Sequence, residues 1–111
     1  MQYFPSREDF HLLSIAHTVV PVWTEVLADM ETPVAAYMKL VGDEPGFLLE
    51  SVENGERWSR YSFVGRNPLA TLVLRDGQIT TTGEIPSGTV LDKGMLAAMD
   101  SLLAIYKAPV M

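Results

Sequence analysis

The chain of 111 residues contains no cysteine. This absence excludes a disulfide framework, a thiolate metal site and a cysteine nucleophile together. Basic residues are also few, with 8 Lys and Arg against 14 Asp and Glu, which gives a net charge of -6. Because binding to nucleic acid through phosphate neutralisation needs clustered Lys and Arg, the composition predicts no nucleic-acid partner.

Long hydrophobic runs are missing as well. No stretch reaches the ~20 consecutive apolar residues that a membrane-spanning helix needs. The N-terminus carries Arg7, Glu8 and Asp9 where a signal peptide would have an apolar segment. The sequence therefore predicts a cytoplasmic protein with no membrane partner. Its apolar share of 48% argues for one small folded domain and against disorder.

Three helices are predicted from capping residues and apolar spacing. Ser6 is an N-cap residue, with Asp9 in a capping-box-like position. Thr32-Pro33 begins a second helix, because proline fits the first helical position. Asp92 is expected to cap the third helix. One face of that helix carries Met95, Met99, Leu102 and Ile105.

Strands are predicted between and after the first two helices. Residues 18–25 are rich in β-branched side chains, and Pro21 would place them at an edge or a bulge. Asn54-Gly55 and Asp76-Gly77 each indicate the turn of a β-hairpin. The expected fold class is α+β, an antiparallel sheet of two hairpins with packed helices.

Glu50 is an unusual residue in the first hairpin. A two-residue loop at Asn54-Gly55 would pair Glu50 with Ser59 and Leu48 with Tyr61. Glu50 would then share a face with apolar residues and with Arg57. A buried carboxylate needs a partner, which is either Arg57 or a backbone N–H in a structural role, or the ammonium group of a ligand. Residue type alone favours the structural role.

No arrangement of residues in the chain predicts catalysis or metal binding. His11 and His17 are not at the usual i, i+4 metal spacing. No serine has the surroundings of a nucleophile elbow, and no glycine-rich phosphate loop is present. The sequence therefore assigns no catalytic residue, no metal ligand and no cofactor to this chain.

Four motifs in order carry a family resemblance. They are Val20-Pro-Val-Trp23, Thr32-Pro-Val-Ala-Ala-Tyr-Met-Lys-Leu40, Phe47-Leu-Leu-Glu-Ser51, and Trp58-Ser-Arg-Tyr-Ser-Phe-Val-Gly65 followed by Arg66-Asn-Pro68. The combination resembles the N-terminal region of anthranilate synthase component I, in the family of chorismate-utilising enzymes. Two alternatives stay open: the related aminodeoxychorismate synthase component I of the folate pathway, and a purely structural scaffold segment.

The resemblance implies a lyase of tryptophan biosynthesis. Such an enzyme makes anthranilate and pyruvate from chorismate and glutamine or ammonia, with Mg²⁺ and a glutamine amidotransferase subunit, component II. The catalytic chorismate and Mg²⁺ sites of the family lie in its C-terminal half, which this chain lacks. We therefore expect residues 1–111 to be the N-terminal, regulatory part of a larger two-layered chorismate-binding-type fold, inactive alone.

The resemblance also implies an allosteric site for L-tryptophan, the feedback inhibitor. Its Glu-Ser pair corresponds to Glu50 and Ser51, and its proline at a helix start corresponds to Pro33. A basic residue further along the hairpin corresponds to Ser59 or Arg60, of which Arg60 is the basic one. Further contacts would come from the absent C-terminal part.

A segment taken from a larger sheet exposes strand edges and apolar faces. Such surfaces pair readily with other chains. The sequence thus predicts a homo-dimer or a swapped assembly through exposed edges at high concentration.

Overall fold

The computed structural model of the chain describes residues 1–51 and 61–111. Within them lie three helices and two antiparallel two-stranded sheets, β1–β2 and β3–β4. The α+β class is confirmed, although the two hairpins form separate sheets in these ranges. The elements are α1 (Arg7–Ser14), α2 (Pro33–Leu40), β1 (Gly46–Glu50), β2 (Ser62–Arg66), β3 (Ala70–Arg75), β4 (Gln78–Gly83) and α3 (Met95–Ile105).

Residue contacts divide the chain into two compact units. The first unit comprises Met1–Leu27 and Ala70–Met111, and the second comprises Ala28–Leu69. The first unit thus contains α1, α3 and the β3–β4 hairpin, whereas the second contains α2 and the β1–β2 hairpin.

In the N-terminal part of the first unit, the predicted helix cap is present but the predicted strand is not. The Ser6 Oγ accepts a hydrogen bond from the Asp9 N–H at 3.1 Å, so α1 begins where expected. The prediction of a strand over residues 18–25 is wrong. Trp23 makes only an isolated antiparallel bridge to Phe4. Pro21 has no N–H to donate to a ladder, so regular strand pairing is interrupted there.

The second hairpin forms as its turn residues predict. Asp76 and Gly77 have φ angles of 52° and 76°. Positive φ at both central residues is the requirement of a type I′ turn, which asparagine, aspartate and glycine tolerate best. Arg75 accordingly pairs with Gln78, and the ladder extends to Ala70 opposite Gly83.

Helix α3 begins later than predicted. Its N-cap is Gly94, with a φ of 93° and no side-chain capping bond, so Asp92 does not cap it. The positive φ of Gly94 interrupts the helical backbone between Asp92 and Met95. Within the helix, the Ser101 Oγ donates to the Ala98 carbonyl and accepts from the Val90 N–H at 3.0 Å. These bonds hold the preceding loop against α3.

The second unit is built by packing α2 against β1 and β2. Val41, just after the helix, is buried, and its side chain lies against Gly46. Leu48 and Val64 are cross-strand partners and are half-buried. Their side, the covered face, carries Leu48, Glu50, Ser62 and Val64. The other side, the open face, carries Phe47, Leu49, Tyr61 and Phe63, each more than half exposed.

The register predicted for β1–β2 is wrong. Glu50 pairs with Ser62 rather than Ser59, a shift of three residues. The observed register places Gly65 opposite Phe47, and a Cβ at Gly65 would overlap the Phe47 ring. Since the shift is odd, Tyr61 moves to the face opposite Glu50. The predicted Asn54-Gly55 turn, Arg57 and Ser59 lie outside the described residues.

The longest helix of the described ranges, α3, has 11 residues. No helix in those ranges is both long enough and apolar enough to cross a membrane.

The contact between Phe47 and Gly65 predicts the effect of a substitution. Gly65→Ala should lower the free energy of unfolding by about 1 kcal/mol, at the low end for overpacking, because the added methyl group must displace a Phe47 ring that is half exposed and can move. Ser62→Ala, at an exposed position of the same strand, should stay within about 0.5 kcal/mol of the parent. Urea denaturation followed by far-UV circular dichroism measures both. Equal stability of the two variants would contradict this account of the register.

Candidate functional site

Pro33 lies in the first turn of α2. The Thr32 Oγ accepts a hydrogen bond from the Ala35 N–H at 3.1 Å, and the Thr32 carbonyl accepts from the Ala36 N–H at 2.9 Å. Proline has no N–H, so at this position no donor is lost. Thr32, Pro33 and Val34 are all exposed. The predicted helix start is confirmed, and it presents a rigid, solvent-facing turn.

Glu50 and Ser51 lie at the end of β1. The Ser51 N–H donates to the Tyr61 carbonyl at 3.2 Å, so pairing continues one residue beyond the strand. Glu50 is on the covered face with Ser62, and strand alternation places Ser51 with Tyr61 on the open face. Both residues are exposed, so the expectation of a buried Glu50 carboxylate that needs a partner is wrong. A ligand that contacts both must therefore lie at the end of the strand.

The topology relates Pro33 to the Glu50–Ser51 pair. Residues 41–45 connect the C-terminal end of α2 to the N-terminal end of β1. Pro33 is at the end of α2 away from this connection, and Glu50 is at the end of β1 away from it. Because α2 packs against β1, we infer that these two ends fall on the same side of the second unit. Three of the four predicted site residues thus share one unit, whereas Arg60 lies outside the described residues.

The charges at this side suit a ligand with both an ammonium and a carboxylate group. Glu31, just before the α2 cap, forms an ion pair with the Lys39 ammonium. The Glu50 carboxylate at the strand end can accept hydrogen bonds from an ammonium group. In the first turn of α2, Pro33 has no N–H and the Ala35 and Ala36 N–H groups bond to Thr32, so the Val34 N–H is the donor left for a ligand. The partial positive charge of a helix N-terminus also favours a carboxylate there.

The side chains that could bind a metal are not clustered in the described ranges. They contain no group of three or more His, Asp or Glu side chains that could hold a metal ion. The His17 Nδ1, just beyond the end of α1, lies 2.8 Å from the Leu13 carbonyl, within hydrogen-bonding distance. This contact gives His17 a structural role.

Tyr61 was not recognised as a neighbour of Ser51 from the sequence. The Asn-Gly turn alone predicts a different register, in which Tyr61 faces Leu48. Gly65 was the available signal, because a glycine inside a strand often marks the close approach of another group. Pairing Gly65 with the large ring of Phe47 gives the observed register and places Tyr61 opposite Ser51.

Comparison with known proteins supplies the family. No family model matches the chain. Anthranilate synthase component 1 of Mycobacterium tuberculosis is 48% identical over 101 residues, covering 90% of this chain and 20% of the relative. The protein of the same name from Mycolicibacterium smegmatis is 46% identical over 107 residues, covering 96% and 20%. That of Arthrobacter globiformis is 47% identical over 89 residues, covering 79% and 17%.

All three relatives carry the name of one component of a synthase. The chain is similar to the N-terminal region of anthranilate synthase component 1, and the resemblance seen in its motifs is confirmed. Aminodeoxychorismate synthase is not favoured by these names. The chain spans about a fifth of the length of the relatives it matches.

The Thr32 cap of α2 is predicted to stabilise the helical turn that carries Pro33. Thr32→Ala should lower the free energy of unfolding by about 1 kcal/mol, because the Ala35 N–H loses its side-chain acceptor. Thr32→Ser keeps that acceptor and should restore most of the loss. Chemical denaturation of the three proteins in parallel measures the difference. An alanine variant as stable as the serine variant would show that the cap does not stabilise α2.

Proposed function

We propose that the chain is the N-terminal, regulatory part of an anthranilate synthase component 1. The enzyme would be a lyase of tryptophan biosynthesis that converts chorismate and glutamine or ammonia to anthranilate and pyruvate in the cytoplasm. The observation that carries the proposal is 46–48% identity over 90–96% of the chain to proteins of that name. The chorismate chemistry follows from the family resemblance of the four motifs.

Within this proposal, Pro33, Glu50 and Ser51 contribute to the site that binds L-tryptophan as feedback inhibitor. Two features of the second unit support it. The Glu50 carboxylate is accessible to the ammonium group of an amino acid, and the α2 N-terminus beside Pro33 favours its carboxylate. Since these residues lie at one exposed side of the unit, the rest of the longer protein would supply the remaining contacts.

The chemistry itself is assigned to the part of the longer protein beyond this segment. The described residues present no cluster of metal ligands, and Mg²⁺ would bind with chorismate in that other part. The relatives are named component 1, which supports the presence of a second component in the complex. A glutamine amidotransferase in that role would supply the ammonia. Residues 1–111 would act on neither substrate alone.

The first test concerns activity of the isolated chain. A mixture of the 111-residue chain with chorismate, Mg²⁺ and ammonium should give no anthranilate fluorescence above a protein-free blank, because no catalytic residues are assigned to it. The Mycolicibacterium smegmatis relative serves as the positive control under the same conditions. Fluorescence that rises in proportion to the amount of the 111-residue chain would refute the assignment of catalysis elsewhere.

The second test concerns inhibition and uses a chimera. In it, this chain replaces the matching segment of the Mycolicibacterium smegmatis protein, of which it covers 20%. Glu50→Gln should raise the tryptophan concentration for half-inhibition roughly 10-fold or more, because a hydrogen bond to a charged group contributes about 1.5–3 kcal/mol. Ser51→Phe should relieve inhibition by filling the space at the strand end. Turnover without tryptophan should be unchanged in both.

The matched control for this test is Ser62→Ala, at the residue directly opposite Glu50 on β2. It should leave inhibition as in the parent chimera. If inhibition persists in both the Glu50→Gln and Ser51→Phe variants, the segment is better described as a structural scaffold.

A further inference from the structure

Helix α3 is apolar on more than one side. Among its 11 residues, Met95–Ile105, the polar ones are Asp100 and Ser101. The inner side is marked by Ala98, which is 0% exposed, and includes half-buried Met95, Leu102 and Ile105. A surface helix of a globular protein normally has one apolar stripe and a polar opposite face. Because α3 lacks such a polar face, burial on its inner side does not account for its composition.

A second line of apolar side chains runs along the exposed side of α3. Leu96, Met99 and Leu103 are 79%, 50% and 74% exposed. Their spacings of three and four residues align them along one side of the helix, and we call this line the outer seam. Spacing of this kind, repeated every seven residues, is the pattern by which one helix packs against another.

We propose that the outer seam is the docking surface for an apolar helix of the same polypeptide that lies outside these 111 residues. This inference depends on the proposed function, which makes the chain a segment of a longer protein. The length of the relatives supports it, because the matched region is only 20% of each of the two mycobacterial proteins compared above. Four-fifths of such a protein is available to cover the seam.

The exposed area of the outer seam favours a helix of the same polypeptide, rather than a second copy of the chain, as the element that binds there. Three side chains of this size expose on the order of 400 Å² together, an area often found at interaction sites. Two seams facing each other would bury about 800 Å², the level of a crystal-packing contact and below that of a stable dimer. A segment of the same polypeptide loses less translational freedom on docking, so a smaller area is sufficient.

The negative charge of Asp100 beside the outer seam indicates which side chains the docking helix should carry. Asp100 is exposed, four residues after Leu96 and three before Leu103, so it neighbours both leucines on the exposed side of the helix. The seam itself contains no charged side chain. Its occupant should therefore present aliphatic side chains to Leu96, Met99 and Leu103, with a Lys or Arg the favoured residue where it passes Asp100.

The absence of cysteine from this chain allows a direct test by thiol labelling. Leu96→Cys and Leu103→Cys place a thiol in the seam, and Thr82→Cys places one at an exposed position of β4 as the control. Each variant is prepared as the 111-residue chain and as the chimera. The rate of alkylation by iodoacetamide is followed at the introduced cysteine by peptide mass spectrometry, with far-UV circular dichroism confirming the fold.

The expected result is alkylation of both seam cysteines at least 10-fold slower in the chimera than in the 111-residue chain, with Thr82→Cys equally fast in both. Equal rates for the seam cysteines in the two contexts would overturn the proposal. Slow alkylation of the seam cysteines in the isolated 111-residue chain, with a rate that falls as its concentration rises, would indicate that a second copy of the chain covers the seam. That result would also overturn the proposal. Anthranilate production by the chimera reports on the proposed function separately.

Discussion

In the β1–β2 hairpin, the Phe47 ring lies against Gly65, its cross-strand partner, and the account of the ligand site depends on the register that pairs them. That register puts Glu50 beside Ser62 on the face covered by α2, and Ser51 beside Tyr61 on the open face. In a strand, a slip of one residue would exchange these faces. The faces on which both proposed inhibitor residues lie thus follow from this register.

Features determined by near neighbours in the sequence were predicted well. The Ser6 and Thr32 caps each depend on a backbone N–H three residues away, and the Asp76-Gly77 turn depends on the φ preferences of its own two residues. The start of α3 was missed because Gly94 adopts positive φ between the expected cap and the helix. That conformation is permitted by glycine but is not required by it.

Features determined by distant residues were not predicted. The strand expected around Pro21 needed a partner along its whole length, and Phe4 supplies only one bridge. The observed β1–β2 register brings the Phe47 ring over Gly65 across the hairpin, a contact that the Asn-Gly signal does not encode. Pro33, Glu50 and Ser51 were chosen by family resemblance, and only the topology of α2 and β1 relates their positions.

The central claim is that this segment supplies part, but not all, of a tryptophan site. Calorimetric titration of L-tryptophan into the 111-residue chain and into the chimera, at equal protein concentrations, tests it most directly. The account predicts saturable one-to-one binding by the chimera and no measurable heat of binding by the chain alone. Binding of equal affinity by the isolated chain, or none by an active chimera, would contradict the claim.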